Sequence, residues 1–91
     1  MGLLFEWDMN KAKSNTQKHN VSFEEAATVF GDENSLTIDD IEHSTPEKRK
    51  ITLGRSTNNH LIVVVHTERG SHIRIISARR ASRKERAQYE K

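Results

Sequence analysis

Three pairs of charged or titratable residues in this chain have side chains suited to acid–base chemistry on a phosphate group. The candidate catalytic residues are Lys18, His19, Glu47, Arg49, Arg79 and Arg80. A carboxylate or an imidazole can take the proton of a 2′-hydroxyl, while cations stabilise the charged phosphorane and supply a proton to the leaving oxygen. Such a set is sufficient to cleave RNA without a metal. Because the same residue types occur on most protein surfaces, an ordinary solvated surface is the competing interpretation.

Arg79 and Arg80 stand between a strand pattern and a helix pattern in the segment IRIISARRASRKER, residues 73–86. The alternating half predicts a strand that ends at Ala78, and we expect both arginines to leave the sheet close to a helix N-terminus. Planar guanidinium groups and free helix N–H groups together suit phosphate oxygens. A solvated corner with surface ion pairs explains the two arginines equally well.

Metal and cofactor chemistry have little support in the sequence. The chain contains no cysteine, which excludes disulfides, thiolate metal sites and a cysteine nucleophile. None of its five histidines has a neighbour at the spacing of a compact zinc site, and a glycine-rich phosphate loop is absent. We therefore predict no metal site and no cofactor, and we expect His66 to be a hydrogen-bonded residue at the edge of the core.

Positive charge is concentrated near the C-terminus. Residues 69–91 contain eight Lys or Arg and two acidic residues, whereas the other 68 residues contain seven and eleven. This asymmetry predicts that one end of the molecule faces an anion, either a polyanion or an acidic partner protein. The longest apolar run, LIVVV at 61–65, is too short to span a membrane. We expect a cytoplasmic protein with one domain over residues 1–91 and no membrane role.

The first part of the chain predicts a strand and two helices. Residues 3–7 favour a strand, and Asp8 can cap a helix over 9–19. Asn20 then stops this helix in a left-handed conformation. The second helix covers 22–30, because it begins with an S-x-x-E capping-box pattern and continues with apolar residues at helical spacing.

The second part of the chain predicts an antiparallel meander followed by a helix. Four strand patterns cover 36–42, 48–56, 60–67 and 72–78, with turns at 44–46, 57–59 and 68–71. Connections this short join antiparallel neighbours, and the unbroken apolar run LIVVV predicts the central strand. A second capping-box pattern, SRKE at 82–85, begins a last helix. The predicted fold is α+β, with a four- to five-stranded antiparallel sheet, two N-terminal helices and one C-terminal helix.

An ordered set of short motifs resembles the BrnT toxin family over nearly the whole chain. The matching motifs are FEWD at 5–8, K-A at 11–12, N at 15, KHNVSFEEA at 18–26, VF-D at 29–32, HS at 43–44, E-R at 47–49, G-S at 54–56 and IRIISARRASRKER at 73–86. Each motif alone is weak, whereas their order and spacing are highly specific. The resemblance implies a ribonuclease toxin of a type II toxin–antitoxin system, with a RelE-like fold, that inhibits translation by cutting RNA.

The resemblance also implies partners. Proteins of this family pair with BrnA, a ribbon-helix-helix antitoxin, in a heterotetramer with two copies of each protein. The complex represses its own operon by binding operator DNA through the antitoxin. We therefore expect a BrnA-like antitoxin and an RNA substrate for this chain. The alternative is a protein that has lost cleavage and serves as an interaction module, binding its antitoxin and helping it repress the operon.

The resemblance maps functional positions of the family onto five of the candidate residues, Lys18, Glu47, Arg49, Arg79 and Arg80. Our hypothesis for their roles is that Arg79 and Arg80 hold the scissile phosphate and stabilise the transition state, while Glu47 or His19 acts as general base. Lys18 or Arg49 supplies further charge or a proton. The family's Lys-His-Gly is Lys-His-Asn here, and Asn tolerates the left-handed backbone that Gly provides.

Overall fold

The computed structural model describes residues 3–43 and 47–91, and the fold is α+β as predicted. In chain order the elements are β1 Leu4–Glu6, α1 Met9–His19, α2 Phe23–Thr28, a 3₁₀ turn Val29–Gly31, β2 Leu36–Asp40, a 3₁₀ turn Ile41–His43, β3 Arg49–Arg55, β4 Leu61–Arg69, β5 His72–Arg80 and α3 Arg83–Tyr89. The predicted order of strands and helices is confirmed. The predicted turn at 44–46 lies outside the described residues.

Five strands of the described chain form one sheet in the order β1-β5-β4-β3-β2. The strands from β2 to β5 are antiparallel as predicted, and β4, which contains LIVVV, lies in the centre. β1 instead pairs with β5 in parallel, so the prediction of a wholly antiparallel sheet is wrong. Short connections favour antiparallel pairing only from β2 onward. β1 and β5 are separated by most of the chain, so the length of the connection does not determine whether the two strands are parallel or antiparallel.

The helix ends follow the capping residues. The Asp8 carboxylate accepts hydrogen bonds from the backbone N–H groups of Asn10 and Lys11, at 2.8 and 3.1 Å, at the start of α1. Asn20 ends α1 in the left-handed conformation, with φ of 56°. At the start of α3, Ser82 makes both bonds of a capping box. The predicted bounds of α1 are therefore confirmed, because its capping signals are local.

β5 is longer than predicted. Arg79 and Arg80 pair with Val63 and Ile62 of β4, so the strand continues past Ala78. Successive residues of a strand point to opposite faces of the sheet, so these two arginines diverge. The expectation that both leave the sheet together at a corner is therefore wrong.

The two faces of the sheet are covered by different helices. On one face, here called the α2 face, α2 residues pack on the sheet in a core made of Val21, Phe23, Ala26, Val29, Ile62, Val64, Ile75 and Ala78. On the other, here called the α3 face, Leu53, Leu61 and Val63 form a smaller buried cluster with Ala81 and Tyr89. Because α3 is short, part of the α3 face stays open to solvent.

α1 lies beside β5 and is fixed there by Asn15. The Asn15 side-chain amide donates to the Ala78 carbonyl at 2.8 Å and accepts from the Ala78 N–H at 3.1 Å, as a neighbouring strand would do. Asp8, at the start of α1, is close enough to Arg74 for this charge to add to the capping N–H groups that lower the pKa of its carboxyl. α1 therefore runs along β5 in the same direction, from the level of Arg74 past that of Ala78.

Candidate functional site

A polar cavity lies on the α3 face, where β4 turns into β5. It is lined by Lys11, Glu47, Arg49, Thr67, Arg69, Arg74 and Ile76. Three of these residues form one row across the sheet, because Arg49 of β3 lies opposite Thr67 of β4, which lies opposite Arg74 of β5. Four of the seven lining residues are cationic and one is acidic, and Arg74 also donates to Glu6 Oε2 at 2.9 Å, so positive charge remains in excess and the cavity suits an anion.

Glu47 is the acidic residue of this cavity, and Arg69 holds it with two hydrogen bonds. Arg69 Nε donates to Glu47 Oε2 at 2.8 Å, and Arg69 Nη2 donates to Glu47 Oε1 at 2.7 Å. These bonds are the main cause of a lowered pKa of the Glu47 carboxyl, and Arg74 and Arg49 lower it further. A glutamate is already ionised near neutral pH, so the effect of these bonds is to hold the carboxylate in place at the cavity, where it can accept a proton.

Thr67 lines the cavity but is almost fully buried. The residue is 2% exposed, and its buried Oγ1 has no hydrogen-bond partner among the described residues. Buried hydroxyl groups are normally bonded, because an unpaired polar group costs free energy.

Arg79 also lies on the α3 face, but further along β5. Its guanidinium group donates to both carboxylate oxygens of Glu85 at 2.8 Å, at the start of α3. This pairing is the main reason that the pKa of Glu85 is lowered to about 2. Arg79 thus lies near a helix start, as expected, although one edge of its guanidinium group is occupied by a carboxylate.

Arg80 lies on the α2 face and belongs to a different network. Its Nη2 is 3.3 Å from His60 Nε2, and His60 Nδ1 is 2.7 Å from Glu25 Oε2. Ser56 also donates to Glu25, at 2.7 Å. Burial raises the pKa of Glu25, but the bonds from Ser56 and His60 outweigh it and the pKa is lowered. The network fixes the loop between β3 and β4 to α2.

The structure therefore brings together only some of the six residues predicted from the sequence. Glu47 and Arg49 line one cavity, and Arg79 lies on the same face. Arg80 points to the opposite face, while Lys18 and His19 are exposed at the end of α1. Their roles in chemistry stay predictions.

Sequence reasoning did not single out four residues of the cavity and two of the network at Arg80. These are Lys11, Thr67, Arg69, Arg74, Glu25 and His60. Two signals were available: the basic C-terminal part contains Arg69 and Arg74, and the family motifs contain Lys11, Glu25 and Arg74. The pairing of Glu47 with Arg69 joins residues 22 positions apart, and no local pattern encodes it.

His66 is confirmed as a hydrogen-bonded residue, but it is fully buried in β4 and not at the edge of the core. Its Nε2 lies 2.8 Å from Thr52 Oγ1, and its ring packs edge-on against Phe30. Burial lowers the pKa of His66 to about 4, so the ring is neutral near pH 7.

Within residues 3–43 and 47–91, no group of three His, Asp or Glu side chains has the arrangement of a metal site. In the same residues, no helix has the length and apolar character needed to cross a membrane.

Residues 7–85 match the family model described as "Ribonuclease toxin, BrnT, of type II toxin-antitoxin system". The fold is similar to the 1.1 Å crystal structure of the Brucella abortus ribonuclease toxin BrnT, with a TM-score of 0.68. The two sequences are 22% identical, over 90% of this chain and 100% of that one. A search of curated proteins gave no match. At this identity the crystal structure supports the fold, and the family match covers most of the chain.

Proposed function

The chain belongs to the BrnT family of ribonuclease toxins from type II toxin–antitoxin systems, and from this premise we propose that it is a metal-independent endoribonuclease that inhibits translation. The observation that carries the proposal is the Glu47 carboxylate, which Arg69 holds with two hydrogen bonds at a cavity lined mainly by cations. A base beside fixed positive charges is what attack by a 2′-hydroxyl on a phosphate requires.

In the proposed reaction, Glu47 takes the proton of the 2′-hydroxyl. The 2′-oxygen then forms a bond to phosphorus, and the bond from phosphorus to the 5′-oxygen breaks. Arg49 and Arg74 stabilise the extra negative charge on the phosphorane, because both line the cavity. The leaving 5′-oxygen takes a proton from water, because Lys18 lies at the exposed end of α1 and does not line the cavity. The products are a 2′,3′-cyclic phosphate and a 5′-hydroxyl group.

The other predicted residues have secondary roles in the proposed reaction. His19 is the second candidate for the base, but it lies at the exposed end of α1. Arg79 and Arg80 remain predicted phosphate contacts. Because they point to opposite faces, they contact different parts of the RNA instead of clamping one phosphate.

The proposed partner is a BrnA-like ribbon-helix-helix antitoxin, in a cytoplasmic complex with two copies of each protein that binds operator DNA. An apolar groove on the α3 face, next to α3, supports a protein partner. The groove is lined by Leu36, Thr37, Ile38, Ile51, Leu53, Val63, Glu85 and Gln88. Ile38 is 64% exposed, which is high for a large apolar side chain in a strand. We propose that the antitoxin brings apolar side chains here and carboxylates to the arginines. We also propose that the fold of this chain is RelE-like.

The second candidate function is a non-catalytic interaction module. The same apolar groove favours it, because antitoxin binding requires no cleavage. In this case the chain binds its antitoxin and helps it repress their operon while the Glu47 cavity is inactive.

Expression without an antitoxin distinguishes the two functions. We expect the parent chain to arrest growth and degrade RNA, and Glu47→Gln to lose at least about 100-fold of the cleavage rate because the base is removed. Glu33→Gln is the matched control, since Glu33 is exposed in the turn before β2. Harmless expression of a folded parent that still binds antitoxin would establish the interaction module instead. Full activity of Glu47→Gln would remove Glu47 from the mechanism.

A further inference from the structure

α1 is a basic helix without a single acidic residue. Its sequence, MNKAKSNTQKH, contains three lysines and ends in a histidine. Lys11 and Lys18 are seven positions apart, which places them on one stripe of the helix about 10 Å apart along its axis. Ser14 lies between them on the same side, and all three are exposed. Lys13 is about 200° around the helix from Lys11 and faces elsewhere.

This stripe begins at the Glu47 cavity. Lys11 lines the cavity together with Arg74 and Ile76 of β5. Since Asn15 fixes α1 beside Ala78, the stripe then follows β5 away from the cavity, and Lys18 lies beyond the level of Ala78. Arg79 is on the α3 face of β5 at that end. A series of cations thus continues from the cavity along the seam between α1 and β5.

We propose that single-stranded RNA binds along this seam, with Lys11 and Lys18 contacting successive parts of its phosphate backbone while the scissile phosphate occupies the Glu47 cavity. The proposal rests on the proposed ribonuclease function and gives a role to Lys11, which was not among the predicted site residues. It also explains how Lys18 and the Glu47 cavity, which the fold separates, serve one substrate, because an extended strand reaches both.

A polyanion is the occupant that fits the seam best. The cations are spaced along a line, and residues 9–19 contain no carboxylate, while the Asp8 carboxylate at the helix start is bonded to the N–H groups of Asn10 and Lys11. Lysines are flexible point charges that bind phosphates without reading the base, so these contacts supply affinity and not sequence preference. In this role Lys18 is a binding residue, and its ammonium group is not required for proton transfer at the cavity.

Two substrates of different length separate binding from chemistry. Lys11→Gln, Lys18→Gln and the double variant are compared with Lys13→Gln, which removes the same charge from another side of the same helix. For a long single-stranded RNA, we expect Lys18→Gln to raise KM about threefold with kcat within about twofold of the parent, and the double variant to raise KM about tenfold. For a dinucleotide, which reaches only the cavity, Lys18→Gln should match the parent.

Binding is also measured with a 2′-O-methyl oligonucleotide, which cannot be cleaved because its attacking hydroxyl is blocked. The double variant should bind about tenfold more weakly, and the slope of log K against log salt should fall by about one to two. Lys13→Gln should bind as the parent does. This assay reads the seam even if the parent cleaves no RNA, so failure of the seam and failure of the ribonuclease function are distinguishable.

Two results would overturn the RNA seam. One is unchanged binding and unchanged KM in the double variant, which would leave these lysines as solvated charges or as contacts for an acidic protein. The other is a loss of kcat on the dinucleotide in Lys18→Gln, which would make Lys18 a catalytic residue. Circular dichroism and thermal unfolding of each variant establish that α1 is intact.

Discussion

At the scale of single residues, the Glu47 cavity depends on an ion pair that brings distant parts of the chain together. Glu47 and Arg49 were candidates from their side-chain chemistry and from the family resemblance. Arg69 was not, because its bonds to Glu47 span 22 positions and leave no trace in local spacing. Arg79 and Arg80 show the opposite case, since they are adjacent in sequence but separated by the alternation of a strand. Residue types were therefore predictable, and their grouping required the sheet.

Arg69 should set the lower pH limit of RNA cleavage. The pKa of Glu47 lies below its ordinary 4.5, mainly because of the bonds from Arg69, so Glu47 stays an ionised base until the pH falls below that value. We expect the acid limb of kcat/KM to lie below pH 4.5 in the parent and to move upward in Arg69→Gln.

The matched control for this shift is Arg83→Gln, which removes an exposed arginine from the first turn of α3. Its acid limb should coincide with that of the parent. Thermal unfolding measured across the same pH range shows whether activity is lost because the protein unfolds or because the base is protonated. An unchanged acid limb in active Arg69→Gln would mean that Glu47 is not the group titrated.

At the scale of elements, local signals predicted the helices and missed one strand pairing. α1 has the predicted bounds because Asp8 and Asn20 cap it through nearby backbone groups. β1 was predicted to be a strand, but its parallel pairing with β5 depends on the path of the whole chain. β5 runs to Arg80 because β4 offers pairing partners there, a tertiary effect that outweighs the local change in composition.

Asn15 is the residue that joins α1 to the sheet. Its buried amide bonds the N–H and carbonyl of Ala78 and the carbonyl of Val21, so Asn15→Ala leaves buried backbone groups without partners. We expect Asn15→Ala to lower the free energy of unfolding by about 2 to 4 kcal/mol, measured by urea unfolding. The control is Asn10→Ala in the exposed first turn of the same helix, which should change stability by less than about 0.5 kcal/mol. Equal stability of the two variants would contradict this role for Asn15.

At the scale of the whole molecule, the fold distributes the basic residues of the C-terminal part over both faces of the sheet. The basic C-terminal part forms β5 and α3, so its arginines spread over both faces of the sheet instead of forming one patch. The α3 face contains both a cationic cavity and an apolar groove. Composition alone left a polyanion and an acidic partner equally open. The fold places surfaces of both kinds on one face, which fits a toxin whose antitoxin lies next to its RNA site.

The chemistry at the Glu47 cavity is tested most directly by the ends of the cleaved RNA. The purified chain is incubated with a synthetic single-stranded RNA in excess EDTA, and the product ends are identified by mass spectrometry. Attack by the 2′-hydroxyl predicts a 2′,3′-cyclic phosphate, or the 3′-phosphate formed from it, on one fragment and a 5′-hydroxyl on the other. A 5′-phosphate with a 3′-hydroxyl, or cleavage only after a divalent metal is added, would contradict it.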